Sequence, residues 1–426
     1  MFGLLKNKPV KNEKLVVGLD VGTTKICVVV GEVSAAGGMN ERGHDFGLNI
    51  IGVGMAASRG IKKGVITNIE HAAESIREAV REAETAAGID IKAVHTGITG
   101  AHIGCLSSQG VIAVKEKEIG QREVNSVIDA ARAVALPFDR EMLHVIPVGY
   151  TVNGQNGITD PRGMGGVRLE TSVRIITGAA TSVQNLIRSC EKAGLDVLDV
   201  VFQPLATAGT VLTPDEKELG VALVDIGGGT TDIALFHEGN ICHAAVLAIG
   251  GNNFTNDVAV GLRMPAQEAE GLKKKHGCSM LNMVKEDEEI EIRLAGGSIS
   301  RNIPRSYIVE ILQPRAEELF GLVKQEIMEK GFHTQMNAGV VLTGGAALMQ
   351  GLDVMAENIL ELPVRTGAPG GVEGPADVIA NPVYATGIGL ALYGAEEAMM
   401  EGGFGNGRVL HVIKNRMQGW FKMFSH

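Results

Sequence analysis

Leu15-Val16-Val17-Gly18-Leu19-Asp20-Val21-Gly22-Thr23-Thr24-Lys25-Ile26 and Leu223-Val224-Asp225-Ile226-Gly227-Gly228-Gly229-Thr230-Thr231-Asp232-Ile233 are two versions of one pattern. In each, an apolar run ends in Asp, Gly and paired Thr follow, and a second apolar run begins. β-Branched runs bounded by glycines predict strands joined by a tight turn. Glycines let the backbone approach a ligand and present its N–H groups without obstruction. Threonine hydroxyls add donors. A carboxylate at the strand end is unfavourable beside phosphate unless a cation lies between them. Mg²⁺ suits that place, because it keeps several waters and touches few carboxylates. Asp20 and Asp225 therefore read as flanking a Mg·nucleotide gripped by two hairpins. One such hairpin alone could be an ordinary Gly-rich turn; the repeat favours the ligand.

The 426 residues suffice for about two or three domains. Fifty-seven glycines imply many tight turns. A net charge of −10 argues against a nucleic-acid-binding surface. The cysteines Cys27, Cys105, Cys190, Cys242 and Cys278 form no C-x-x-C pair, which suits a reducing compartment and gives no zinc pattern. The histidines show no metal-ligand spacing. Met1–Lys14 lacks the apolar core of a signal peptide. No run of about 18 apolar residues offers a membrane span.

Outward from the first hairpin, Ser34–Asn49 reads as a Gly-rich loop and Ile50–Met55 as a short strand. Ile69–Ala87 is an amphipathic helix, with Ile69, Ala73, Ile76, Val80, Ala83 and Ala87 on one stripe and Gly88 as its stop. Strands are expected at Ala93–Ile98, Gly110–Val114, Met142–Tyr150 and Val167–Gly178, and a helix at Arg122–Ala135. The block from Ile91 to about Gly166 is a candidate inserted domain. Val183–Ala193 reads as helix, Val197–Phe202 as strand and Pro204–Leu212 as a short Ala-rich helix. Beyond the second hairpin come a basic helix at Ala266–Lys275, an edge strand at Glu286–Arg293, and a helix pair or kinked helix at Arg301–Gly331 around Pro314. Gly339–Leu342 is a strand entering Thr343-Gly344-Gly345-Ala346-Ala347. Such a turn into a helix exposes backbone to a ligand and suits adenosine or α-phosphate. Asn381–Gly394 is a helix whose Ala385 and Gly389, four apart, allow close packing; pairing with Pro204–Leu212 would fit a hinge.

The tail differs in character. Glu397–Gly407 is rich in Gly and Glu, and acidic residues stop at Glu401. On a helix, Ile413, Met417, Trp420, Phe421 and Phe424 share a face, with Lys414 and Lys422 off it. This is the pattern of an interfacial helix on an anionic membrane. Docking on the body or on a protein partner is the competing reading.

These motifs resemble the actin/Hsp70/sugar-kinase superfamily. Gly18–Lys25, Val224–Ala234 and Val341–Ala347, with Leu143–Pro147, the Asp160–Leu169 turn and the basic tail, most resemble its FtsA family of actin-like bacterial cell-division proteins. The resemblance runs from Leu15 to Tyr393 and includes the tail. It implies an α/β, two-lobed actin-like ATPase fold with an inserted α/β subdomain and a C-terminal amphipathic helix. On that basis lobe I spans 15–84, 167–195 and 363–395, and the insertion 85–166. Lobe II spans 196–243 and 305–362, its small subdomain 244–304. A linker covers 396–408 and the helix 409–426.

The same resemblance implies roles. Asp20, Gly22, Thr23, Thr24 and Lys25 would form the first phosphate loop, and Asp225, Gly227, Gly228, Gly229, Thr230 and Thr231 the second. Asp20 and Asp225 would hold Mg²⁺, with Asp225 also assigned to catalysis. Gly344, Gly345 and Ala346 would face the adenosine of ATP, with Glu270, Lys273 and Lys274 near the base; a solvated face is the alternative for those lysines. Arg301, Arg315 and Glu318 would receive the C-terminal tail of the division protein FtsZ. Actin-like self-assembly, contact with other division proteins, and peripheral attachment to the cytoplasmic face of the inner membrane at the septum are also implied. Any ATPase activity would be slow or conditional. The competing classes are a small-molecule kinase, a chaperone-type ATPase and an actin-like ATPase of type IV pilus assembly. The first and last have no use for the basic Trp/Phe tail, and too few residues follow Gly394 for a chaperone's peptide-binding domain.

Overall fold

A computed structural model describes residues 15–35, 40–116, 118–285, 287–293, 300–329 and 331–400. The expected linker beyond Met400 and the amphipathic helix, with Ile413, Lys414, Met417, Trp420, Phe421, Lys422 and Phe424, lie outside the described residues.

The first lobe opens with β1 (Leu15–Val21), β2 (Lys25–Ala35) and β3 (Phe46–Ala57). A short hairpin follows, β4 (Ile61–Lys62) and β5 (Val65–Ile66), then α1 (Ile69–Ala87) and β6 (Ala93–Ile98). β7 (Gly104–Ala113), α2 (Gln121–Arg132), β8 (Arg140–Val152), β9 (Gln155–Ile158) and β10 (Arg168–Ala179) come next. The chain returns through α3 (Ala180–Ala193), β11 (Asp196–Phe202), α4 (Gln203–Val211) and α5 (Pro214–Leu219). The second lobe holds β12 (Val221–Ile226), β13 (Thr231–His237), β14 (Asn240–Leu247), α6 (Gly251–Leu262), α7 (Ala266–His276), β15 (Glu289–Arg293), β16 (Ser300–Pro304) and α8 (Arg305–Glu329). β17 (Val340–Thr343), α9 (Leu352–Leu360) and β18 (Val364–Thr366) complete it, and α10 (Ala376–Ile379) and α11 (Ala385–Met400) return to the first lobe, where Val378, Ile388 and Ala391 pack with Val16, Cys27 and Val29.

Two five-stranded sheets share one plan. Their orders are β11-β6-β1-β2-β3 and β14-β13-β12-β17-β18. In each, the motif hairpin lies inside the sheet and its first strand pairs in parallel with a later one, β1 with β6 and β12 with β17. Strands buried on both faces read as continuous apolar runs, and Val221–Ile226 is buried at every position.

Helix α1 shows how the sequence sets an element. Asn68 caps it, its side chain accepting the His71 N–H, and Gly88 ends it at φ 69°. Ala72, Ala73, Ile76, Ala79, Val80 and Ala83 are buried. A buried side chain the size of Ile76 or Val80 contributes about 1.5–3 kcal/mol. The helix lies close on β3 because Gly54 has no side chain: a Cβ there would stand 2.4 Å from the Ala83 nitrogen.

The insertion differs from the expected 85–166. Residues to Ala87 belong to α1, and β6 pairs with β1 and β11 in the first lobe's sheet. Strand β10, expected in lobe I, instead lies between β7 and β8 in the separate sheet β7-β10-β8-β9. The apolar run of β10 fits either sheet in sequence; its long antiparallel register with β8 decides. The region expected as a helix pair or kinked helix is one element, α8, with Pro314 inside it. An interior proline costs about 3 kcal/mol. Buried Ile308, Val309 and Leu312 before it, and Ala316, Leu319 and Phe320 after it, hold the helix together.

Helix α11 packs against α4 as their small residues anticipated: a Cβ on Gly389 would come 3.0 Å from the Thr207 nitrogen. It also runs further than expected. Glu396 pairs with His44 at 3.1 Å and Glu397 with His95 at 3.4 Å, so these residues are helix where a linker was expected.

Candidate functional site

The β1–β2 and β12–β13 turns meet across the cleft between the lobes. Gly22 N–H donates to Lys25 C=O at 3.1 Å, and Gly227 N–H to Thr230 C=O at 2.9 Å. These bonds make Gly22-Thr23-Thr24-Lys25 equivalent to Gly227-Gly228-Gly229-Thr230. The paired threonines that suggested the repeat are therefore not equivalent. Thr23 and Thr24 are the tip of the first turn. Thr230 closes the second, and Thr231 already belongs to β13. Fully buried Thr231 donates its hydroxyl to Ile249 C=O at 2.9 Å, so the fold does not bring it to a ligand.

The tips interlock. A Cβ on Gly229 would stand 2.6 Å from Thr23 Oγ1, and one on Gly228 would stand 2.8 Å from Thr24 Cβ. Two glycines in one turn thus make room for two threonines in the other. Thr24 Oγ1 also donates to Asn252 Oδ1 at 3.3 Å.

Behind the tips lie the carboxylates. Asp20 accepts from Lys25 Nζ at 3.1 Å and from Gln203 Nε2 at 3.0 Å. Burial opposes the Lys25 charge, but Asp20 outweighs it and holds its pKa above the ordinary value. Asp225 accepts from Thr386 Oγ1 at 3.1 Å and Thr207 Oγ1 at 3.4 Å. Burial, then the charge of Asp20, pushes Asp225 up to about 6. Directly across the strand pair, Asp232 accepts from Thr99 Oγ1 at 2.6 Å. Burial and then Asp225 push it up to about 8.

Three buried carboxylates against one nearby lysine form a site that a cation would relieve, and this donor chemistry fits Mg²⁺. Among the described residues no group of three or more His, Cys, Asp or Glu is placed to hold a metal. A cation at Asp20 and Asp225 would thus take its remaining ligands from phosphate and water.

The third turn backs onto the second. Gly344 adopts φ 85°, and a Cβ there would stand 2.7 Å from Ile226 C=O, while Gly345 begins a short 3₁₀ turn. A Cβ on Gly251 would stand 3.4 Å from Ala346 Cβ, 3.5 Å from Gly227 C=O and 3.5 Å from Lys273 Nζ. Gly227, Gly251, Lys273 and Ala346 thus gather at one place. Lys273 is fixed by Gly251 C=O at 2.9 Å, Thr255 Oγ1 at 2.8 Å and Glu270 at 2.6 Å. Thr255 in turn donates to Glu270. Lys274 is exposed and reaches Glu270 at 3.4 Å from the outer side. Away from the cleft, Arg301 lies exposed on β16, while Arg315 on α8 pairs with Asp257 at 2.6 Å and with Glu318.

A cavity of about 370 Å³ opens where the turns meet, lined by Thr23, Lys62, Lys63, Gly229, Asn252, Asn253 and Asn256. Sequence reading missed the lysines and asparagines, as well as Gln203, Thr207, Thr386 and Thr99. Lys62-Lys63-Gly64 between strand signals was the one visible hint, a tight turn carrying two charges.

Comparison with known proteins bears on the family and the fold. The family described as "Cell division protein FtsA" matches residues 222–389, and the "SHS2 domain inserted in FTSA" matches residues 100–177. The chain is 43% identical to the cell division protein FtsA of Pseudomonas aeruginosa over 388 residues, 91% of each chain. It is 38% identical to that of Escherichia coli K12, covering 90% of this chain and 91% of that one, and 38% identical to that of Bacillus subtilis, covering 92% and 86%. Among solved structures, it superposes on a chain of the PilM-PilN type IV pilus biogenesis complex with TM-score 0.62 at 17% identity, covering 89% of this chain and 98% of that one. It superposes on ADP-bound MreB5 of Spiroplasma citri with TM-score 0.53 at 15% identity, covering 92% and 100%.

Proposed function

The chain belongs to the cell division protein FtsA family, and on that premise we propose that its cleft holds Mg·ATP and that the loaded protein is a membrane-tethered polymer. It is a cell-division protein of actin-like fold. The observation that carries the nucleotide reading is the opposition of the two turns, with buried Asp20 and Asp225 behind interlocked Thr23-Thr24 and Gly228-Gly229. Asp20 and Asp225 would hold Mg²⁺, which neutralises phosphate charge. The backbone of both turns and the Thr23 and Thr24 hydroxyls would hold the phosphates. Gly344, Gly345 and Ala346 would pack on adenosine beside Glu270 and Lys273. The outward position of Lys274 gives it the weakest claim. Asp225 is proposed as the catalytic carboxylate of a slow or conditional ATPase.

The lobe I segments, the small subdomain of lobe II and the tail divide the work. Arg301, Arg315 and Glu318 are proposed to receive the FtsZ tail, with Arg315 exchanging Asp257 for the incoming carboxylates. The apolar face of Ile413, Met417, Trp420, Phe421 and Phe424, flanked by Lys414 and Lys422, is proposed to lie on the inner face of the cytoplasmic membrane at the septum. No helix among the described residues is long and apolar enough to cross a membrane. The pilus-assembly alternative rests on shared fold alone.

The test is pelleting with anionic vesicles, with and without Mg·ATP, comparing the full chain with one ending at Gly407. Pelleting of the full chain alone, strengthened by ATP, is expected. If neither chain pellets, the membrane reading falls and the tail is assigned to a protein surface.

A further inference from the structure

The β4–β5 hairpin plays no part in the two-turn grip, yet it ends at the same cleft. Its tip carries Lys63 at φ 49° and Gly64 at φ 75° between the paired residues Lys62 and Val65. Two successive left-handed residues make a type I′ turn. A lysine in that conformation is uncommon, and the surrounding fold pins it. Gly64 N–H donates to Thr23 Oγ1 at 2.9 Å. Gly64 also sits so close to Thr99 and Gly100 that a Cβ would come within 3.1 Å of both. The hairpin tip is thereby fastened to the tip of the first phosphate turn.

The cavity at this junction takes Lys62 and Lys63 from one lobe, Asn252, Asn253 and Asn256 from the other, and Thr23 and Gly229 from the two turns. Its lining contains two ammonium groups, three amides and a hydroxyl, and no carboxylate. That composition suits an anion. Both lysines are exposed, and neither has an ion-pair partner among the described residues. The lining shares no residue with Glu270, Lys273, Gly344, Gly345 and Ala346, proposed for the adenosine, and takes Thr23 and Gly229 from the two phosphate turns. It therefore lies at the phosphate end of a bound nucleotide.

We infer that Lys62 and Lys63 form a third grip on the nucleotide: they take its terminal phosphate and make the site prefer a nucleoside triphosphate over a diphosphate. The inference rests on the nucleotide reading of the cleft. A lysine is suited to the task as a compact charge on a long stem, able to follow a phosphate with several free oxygens. The contact has a structural consequence. Thr99, against which the hairpin tip packs, donates to Asp232 of the second lobe. A phosphate held by the lysines would bear on the same junction that joins the lobes.

The experiment measures the affinity of the full chain for Mg·ADP and for the magnesium complex of a non-hydrolysable ATP analogue. It compares wild type, Lys62→Gln, and Lys62→Gln combined with Lys63→Asn, asparagine being tolerant of the left-handed position. In the double variant, triphosphate affinity is expected to fall at least about tenfold and diphosphate affinity to change less than about threefold. The single variant should fall between wild type and the double variant. An equal loss for both nucleotides overturns the inference, because it reports a displaced hairpin or a general charge effect. Unchanged triphosphate affinity overturns it as well. A wild-type chain that binds neither nucleotide overturns the nucleotide reading itself, whereas wild-type binding with an unaffected variant removes the third grip alone.

Discussion

The two motif hairpins begin alike and then diverge. Both place an aspartate two residues before the turn glycine, in the middle of a buried sheet. The first turn then spends its tip on two side chains, Thr23 and Thr24, and ends in Lys25, which neutralises Asp20. The second has a tip of bare glycines, and Asp225 faces Asp232 across the strand pair where Asp20 faces Cys27. One turn is knobbed and charge-balanced; the other is smooth and acidic. Neither could be swapped for the other, because two knobbed tips would collide and two acidic turns would lack the lysine. The duplicated pattern gives complementarity across a cleft, with a surplus of negative charge at the place proposed for a cation.

The most forceful way to break this comparison is Asp225→Ala. Losing a buried charged partner costs about 3–5 kcal/mol, so Mg·ATP affinity measured by calorimetry should fall more than about 100-fold. Unchanged affinity and self-assembly would show that the acidic turn is not the cation's place. Next in size is Gly228→Ala, which fills the smooth tip against Thr24. A small-to-large change at a tight contact costs about 1–3 kcal/mol, so nucleotide affinity should fall about tenfold or more. Adding Thr24→Ala should restore part of it. No rescue in this double-mutant cycle would mean the tips do not act through one another.

Asp232→Asn sharpens the charge side of the comparison and has the smallest effect. An ordinary aspartate ionises near 3.9, while Asp232 in the fold ionises near 8. Between those values the unfolded chain has released the proton and the folded chain still holds it. Stability of the nucleotide-free protein therefore falls as pH rises from about 4 to about 8. Asparagine keeps an acceptor for Thr99 and removes the titration. The variant should melt about 2–4 °C higher at pH 8, the shift that about 1 kcal/mol produces, with little change at pH 4. Thermal scans at the two pH values decide it, and an equal shift at both would assign the effect to packing.

Much of the fold was legible because it rests on local signals. The two hairpins, the α1 helix between Asn68 and Gly88, and the Gly344-Gly345 turn all follow from periodicity and punctuation within a few residues. The insertion boundary was not, because β10 could complete either sheet and only its pairing with β7 and β8 settles the matter. The site divides in the same way. Asp20, Asp225 and the glycines stand within their motifs. Their partners come from far along the chain: Gln203 is 183 residues from Asp20, Thr386 is 161 from Asp225, and Thr99 is 133 from Asp232. Single threonines and a glutamine carry no pattern that would single them out.

The sequence by itself determined that two strand–turn–strand motifs with strand-end aspartates exist, and that the chain resembles an actin-like division family. Those facts depend on residue type and short spacing. Only the tertiary structure decided that the paired threonines are out of step, that Thr231 turns inward to Ile249, and that the Lys63–Gly64 tip is fastened to Thr23. Turn register is set by which backbone N–H meets which carbonyl. The direction a side chain faces alternates with every residue of a strand, so a shift of one position moves a hydroxyl from a cleft into a core.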